Sequence, residues 1–268
     1  MGAGVCLPLF VPGNRPERFA KAAAAGSGMV ILDLEDAVAG PAKAAARDAV
    51  LHEADMLAGA QVLVRINGAG TPWHDADVAA VAGLHRAGLL LAKAEDPDRL
   101  RALADGLGPG RATWALIETA RGMANARHLA LAADRIVFGS VDFCADLGMA
   151  HRRDILLPFR AELVLAARLA GRAAPLDGVT TALDDPRQVS DDAAHARALG
   201  FGGKLLVHPR QIEPARAGFR PSESEVEAAR RILRQAGAGG ALAVDGEMVD
   251  EPVLIRAREL VAQWEELA

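Results

Sequence analysis

A chain of 268 residues suits one large α/β domain or two small ones, and 51% hydrophobic residues allow a sizeable core. Its net charge is −5 with acids and bases mixed along the chain, which excludes the basic patch that nucleic-acid binding needs. Tyrosine is absent and aromatics are 4%, so the core must come from Ala, Leu, Val and Ile, pointing away from a β-sandwich toward helix-rich α/β.

In chain order, short apolar runs predict strands at 5–11, 29–34, 61–66, 88–93, 111–118, 135–140, 174–179 and 202–207. Helical spacing falls between them at 15–25, 41–57, 75–85, 97–107, 120–132, 155–169 and 186–199. This alternation predicts a parallel sheet with helices outside, and its length fits a (β/α)8 TIM barrel over 1–208. A doubly wound open sheet is the alternative, but no GxGxxG or Walker motif follows an early strand. Residues 209–268 read as a C-terminal helical extension and lid segment, too short for a good core alone. Within it, Ser222 and Glu225 have capping-box spacing. The glycine-rich 236–246 stretch has hinge-like composition with a hairpin turn at Asp245-Gly246, and Glu251–Leu267 is a final amphipathic helix.

The two cysteines, Cys6 and Cys144, form no CxxC pair, which argues against zinc and for a reducing, cytoplasmic location. Residues 1–11 lack a signal-peptide pattern, and no apolar run is long enough to span a bilayer, so no membrane partner is expected.

In a barrel, chemistry sits at the C-terminal strand ends. Here those ends carry Asp33, Glu35 and Asp36; Arg65 and Asn67; Lys93 and Glu95; Glu118; Ser140 to Asp142; Asp177, Thr180 and Thr181; and His208. Glu118 and Asp142 follow adjacent strands and suit a hard cation such as Mg²⁺, which takes few protein oxygens. Each also reads as a helix cap, Glu118 before Thr119 and Asp142 before Phe143. Arg65 reads as a partner for the strand-2 acids, as a fork for an anionic substrate, or as both. Lys93 reads as an ion-pair partner of Glu35 or Asp36. His208 reads equally as structural or functional, and the other histidines as surface or packing residues.

The blocks PLFVPGNRPERFAKA, ILDLEDAV, VRINGAGTPW, ALIETARGMANA, VFGSVDFCADLG, KLLVHPRQI and MVDEPVL, in this order, resemble citrate lyase β-subunit-like proteins of the HpcH/HpaI aldolase superfamily. The resemblance implies a trimeric or hexameric (β/α)8 barrel with Mg²⁺ on Glu118 and Asp142. It implies substrate binding by Arg65, catalytic acids at Glu35 and Asp36, and a catalytic Asp250 reaching a neighbouring subunit's site. The family more often has Gly where Glu251 stands. The implied reaction is reversible cleavage of a citryl-, malyl- or citramalyl-CoA-type thioester to acyl-CoA and a 2-oxo acid. Lys93 and His208 are further substrate-binding candidates, and Arg15 and Arg18 would meet the coenzyme A phosphates. The alternatives are a pyruvate-dependent aldolase, a malyl-CoA-type thioesterase, and a non-autonomous subunit of a citrate lyase complex.

Overall fold

The structure is a computed structural model describing residues 4–235, 242–244 and 247–266. Strands β1 (Leu9–Pro12), β2 (Met29–Asp33), β3 (Gln61–Ile66), β4 (Gly88–Leu91), β5 (Thr113–Ile117) and β6 (Arg135–Phe138) pair in that order, every pair parallel. Isolated parallel bridges continue the series. Val137 joins Leu176, Asp177 joins Lys204, and Gly203 and Leu206 join Cys6 and Leu9, leading back to the first strand.

The seventh and eighth runs, expected as full strands, are therefore bridge contacts only. Pro175 has no N–H for a ladder. Gly202 and Gly203 bring no side chain to pack, and a Cβ on Gly203 would collide with the Cys6 carbonyl.

The strands are buried on both faces, as parallel strands between two layers must be. Met29, Ile31, Leu63, Leu90, Trp114, Leu116, Val137, Leu176 and Leu205 form one cluster on the inner face. The alternate residues, among them Val30, Leu32, Val64, Leu89, Ile117 and Phe138, pack in a larger cluster with the helices.

Local chemistry sets the helix ends. Asp96 accepts from the N–H groups of Asp98 and Arg99 and opens the helix Pro97–Leu107, with Pro97 in its first turn. Asp185 does the same for Pro186–Leu199, which ends at Gly200 with φ 97°. The expected helix 120–132 breaks at Asn125 into Ala120–Ala124 and Ala126–Ala132. An additional helix, Ser140–Leu147, follows β6.

Past residue 209, Ile212–Phe219 packs against Pro186–Leu199, and Glu223–Gln235 packs against Glu251–Glu266. The capping box holds: Glu225 N–H donates to Ser222 Oγ at 3.2 Å, and Ser222 N–H donates to Glu225 Oε2 at 2.7 Å. Arg220 lies over the Trp264 ring at 4.1 Å and ties the last helix to the rest. Leu242–Val244 and Glu247–Val249 pair antiparallel, in hairpin register. The Asp245-Gly246 turn and the 236–241 part of the hinge expectation lie outside the described residues. Among the described residues no helix is long and apolar enough to cross a membrane.

Candidate active site

Side chains alternate between the two faces of a strand, so the inward parity of Ile31, Leu63 and Leu116 continues to Asp33, Arg65 and Glu118. All three line a cavity of about 490 Å³ at the C-terminal strand ends. Asp36 and Asp142 also line it, and Phe10, Leu116, Val179 and Leu205 supply apolar walls.

The register places Asp33 beside Arg65 across β2 and β3. Arg65 Nε and Nη2 donate to Asp33 Oδ1 and Oδ2 at 2.7 and 2.6 Å, a forked ion pair. Arg65 Nη1 lies 3.0 Å from Glu35 Oε2, and the guanidinium stacks on Phe10 at 4.7 Å. Burial works against the guanidinium charge, but Asp33 and Glu35 outweigh it and hold Arg65 firmly protonated. Asp33 also accepts from the N–H groups of Glu35 and Ala37, which shapes the turn bearing the remaining acids.

Lys93 Nζ pairs with Glu35 Oε1. Burial pushes the Glu35 carboxyl up, against the opposing pull of Arg65 and Lys93. Burial also disfavours the Lys93 ammonium, yet its hydrogen bond to Glu35 and the nearby carboxylates raise its pKa overall. Asp36 stays half exposed, 3.9 Å from both Arg65 and Lys93.

Glu118 is 1% exposed. Its Oε1 accepts from the Lys93 N–H at 2.8 Å, whereas its Oε2 is buried without a partner among the described residues. Burial, only partly offset by Arg65, pushes its carboxyl up to about 8. A buried carboxylate with an unsatisfied oxygen is costly unless a cation meets it. Glu118 does not cap the next helix, because Thr119 does, through its hydroxyl and the Gly122 N–H. Nor is Asp142 an N-cap: the helix begins at Ser140 with Gly139 as N-cap, placing Asp142 in the first turn. Gly139 packs against Glu118 so closely that an added Cβ would sit 2.5 Å from Glu118 Cβ and Oε2. Two carboxylates facing one cavity can hold a divalent ion completed by substrate and water oxygens. Among the described residues no group of three or more His, Cys, Asp or Glu is placed to hold a metal.

The other expected residues lie elsewhere. Arg15 and Arg18 are exposed on the first loop, where Arg15 Nε donates to Glu17 at 2.6 Å. His208 caps a turn, its Nδ1 accepting from the Arg210 N–H at 3.1 Å. Asp250 stands before the last helix, its Oδ1 accepting from the Val253 N–H at 3.3 Å.

Sequence reasoning missed the supports. Lys43 Nζ donates to the Leu34 and Glu35 carbonyls at 2.8 Å, and Asn67 Nδ2 donates to the Leu34 carbonyl and to Asp77. His74 has the packing role expected of it, buried with its Nδ1 at 2.7 Å from the Asn67 carbonyl. Asp33, seen only as one of three acids, is the main partner of Arg65. The alternation along β2 puts Asp33 on the same face as Ile31, but its pairing with Arg65 comes from the inter-strand register.

The model of the HpcH/HpaI aldolase/citrate lyase family matches residues 7–209. A citrate lyase subunit beta-like protein of Mycobacterium tuberculosis is 39% identical over 263 residues, spanning 94% of this chain and 93% of that protein. A (3S)-malyl-CoA thioesterase of Cereibacter sphaeroides is 36% identical over 273 residues, spanning 97% of this chain and 94% of that one. The crystal structure of CitE from Mycobacterium tuberculosis in complex with magnesium, acetoacetate and coenzyme A is similar at a TM-score of 0.89 and 37% identity, covering 99% of this chain and all of that one. The citrate lyase beta subunit from the same organism, complexed with oxaloacetate and magnesium, is similar at a TM-score of 0.73 and 37% identity, covering 82% of this chain and 98% of that one.

Proposed function

We propose, from the premise that this chain belongs to the HpcH/HpaI aldolase/citrate lyase family, that it is a Mg²⁺-dependent carbon–carbon lyase. Its substrate class is a β-hydroxyacyl-CoA of the citryl-, malyl- or citramalyl-CoA type, and its products are an acyl-CoA and a 2-oxo acid. One observation carries the reading: Glu118 Oε2 has no hydrogen-bond partner among the described residues, and Glu118 lines the cavity that Asp142 and Arg65 also line. The reading takes the ring of bridges as a (β/α)8 barrel over 1–208 with an extension at 209–268, in a cytoplasmic homo-oligomer.

Glu118 and Asp142 would hold the metal, which when bound supplies a Lewis acid for the oxygens of the 2-oxo acid. Asp33 and Asp36 both line the cavity, but Asp33 is engaged by Arg65, so Asp36 is the strand-2 acid that accepts the substrate hydroxyl proton. As the carbon–carbon bond breaks, its electron pair passes to the acyl fragment as a thioester enolate. Arg65 spends two of its five N–H groups on Asp33, so further donors remain for the enolate oxygen or the substrate carboxylate. Phe10, Leu116, Val179 and Leu205 give the cavity apolar walls, which strengthen these interactions. Asp250 of a neighbouring subunit returns a proton to the acyl carbon. Glu35, held between Lys93 and Arg65, positions these groups.

The test is product analysis by mass spectrometry after incubating the purified chain with malyl-, citramalyl- or citryl-CoA, with and without Mg²⁺. A metal-dependent 2-oxo acid with acyl-CoA supports the lyase. Free hydroxy acid with coenzyme A supports thioester hydrolysis, the activity named for the Cereibacter relative.

A further inference from the structure

We propose that the chain carries a second binding site, for a small oxyanion, in a separate polar cavity of about 200 Å³. It lies between the helices Arg153–Leu169 and Pro186–Leu199 and the bridge segments at Asp177 and Lys204. The inference is independent of the lyase reading.

The deep wall holds two cations and one carboxylate. Arg160, Lys204 and Asp177 are 8%, 1% and 3% exposed. Arg160 Nε donates to Asp177 Oδ1 at 2.9 Å, and its Nη1 is buried with no partner among the described residues. Lys204 Nζ donates to the Gly178 carbonyl and Thr180 Oγ1, both at 2.9 Å and both neutral acceptors. The next carboxylate, Asp192, is committed on both oxygens, one to Arg153 at 2.8 Å and one to Thr180 at 2.8 Å. One buried positive charge is therefore left without a carboxylate at hydrogen-bond distance. His195 lines the same cavity, and its Nε2 is also buried without a partner among the described residues. In the tautomer protonated there, it adds a further donor.

A site that offers an unpaired guanidinium N–H, an ammonium and an imidazole N–H is matched by an anion with two or more oxygens. Water would satisfy the hydrogen bonds and leave the charge uncompensated. The volume admits a carboxylate or phosphate group and excludes a nucleotide. Burial, against the pull of Asp177 and Asp192, depresses Lys204 to about 8, as an ammonium short of a counter-ion should be. The site also adjoins the first cavity: Val179 lines both, and His151 Nε2 lies 2.9 Å from Ser140 Oγ, in the helix that bears Asp142.

The test is isothermal titration of the full chain with two probes, inorganic phosphate and acetate, in a buffer free of other oxyanions. Saturable one-to-one binding of either probe is expected, and the tighter one identifies the tetrahedral or planar class. Affinity should fall at least tenfold in His195→Phe, which removes the imidazole donor, and in Lys204→Met, and should be unchanged in Asp142→Asn. Absence of saturable binding would overturn the proposal, as would binding lost in Asp142→Asn and kept in His195→Phe. Should either cavity variant fail to fold, crystals grown from the wild-type chain and soaked in selenate decide: an anomalous selenium peak beside Arg160 Nη1 supports the site, and ordered water alone there refutes it.

Discussion

The backbone N–H of Lys93 donates to Glu118 Oε1 at 2.8 Å from a residue held at φ 48°. Among the described residues Lys93 is the only non-glycine at positive φ. Such a conformation costs about 1–3 kcal/mol and persists only where the surroundings impose it. Here it lets one residue serve two carboxylates, the N–H on Glu118 and the ammonium on Glu35. One Glu118 oxygen is thereby fixed while the other has no partner among the described residues.

Gly139→Ala tests how tightly Glu118 is placed. The new methyl would stand 2.5 Å from Glu118 Cβ and Oε2, so the carboxyl or the β6 end must shift. We expect a destabilisation of about 1–3 kcal/mol by urea unfolding, as for other overpacked sites, and at least a tenfold loss of Mg²⁺-dependent turnover. Unchanged turnover would mean that the Glu118 position is not critical.

Arg65→Met removes the forked partner of Asp33 and leaves that buried carboxylate without a counter-charge, while Glu35 keeps Lys93. Breaking a buried pair from one side costs about 3–5 kcal/mol, and urea unfolding should show a loss of that size. Arg65→Lys keeps the charge but not the fork, so it should recover part of the stability and little of the turnover.

Stability should depend on Lys204 at alkaline pH. Its folded pKa is about 8 against 10.5 for the free group. Between those values the unfolded chain keeps a proton that the folded chain has released, so stability rises with pH across that window, by up to about 3 kcal/mol. Below pH 8 the penalty is present in full. The rise should be visible in urea midpoints of the wild type from pH 8 to 10.5 and absent in Lys204→Met; equal slopes in the two proteins would refute the assignment.

The regions legible in the sequence are those fixed by local chemistry. Pro97–Leu107 and Pro186–Leu199 match their expected bounds because an Asp cap and a first-turn Pro mark each start. Strands β2 to β6 fall within two residues of their apolar runs because burial on both faces keeps those runs continuous. The helix Ser140–Leu147 was read only as a cap at Asp142 before Phe143, because Gly139, three residues before the Asp that carries the stronger cap signal, opens it directly after the strand. The ends of β2 and β3 announced ionisable groups, but which acid meets Arg65 depends on inter-strand register, which single-chain spacing does not report. The polar cavity around Arg160 was invisible for the same reason, since Asp177 and Lys204 lie 17 and 44 residues from Arg160.

Asp250→Asn separates chemistry from structure. Asn is as good a helix cap as Asp, so the Val253 N–H contact and the last helix should survive with an unchanged melting temperature. Turnover should fall at least a hundredfold while 2-oxo acid binding, measured by titration calorimetry, is retained. Loss of that binding would make Asp250 a structural residue.

The most direct measurement is Mg²⁺ affinity by titration calorimetry for the wild type, Glu118→Gln and Asp142→Asn. If the two carboxylates share one ion, each substitution should weaken binding by at least about a hundredfold, the upper range for disturbing even an outer-shell partner. Glu118→Gln should also unfold no more easily than the wild type below pH 8, because burial pushes the Glu118 carboxyl up to about 8 and leaves it neutral there, as the amide is. Mg²⁺ affinity that survives both substitutions would contradict the account.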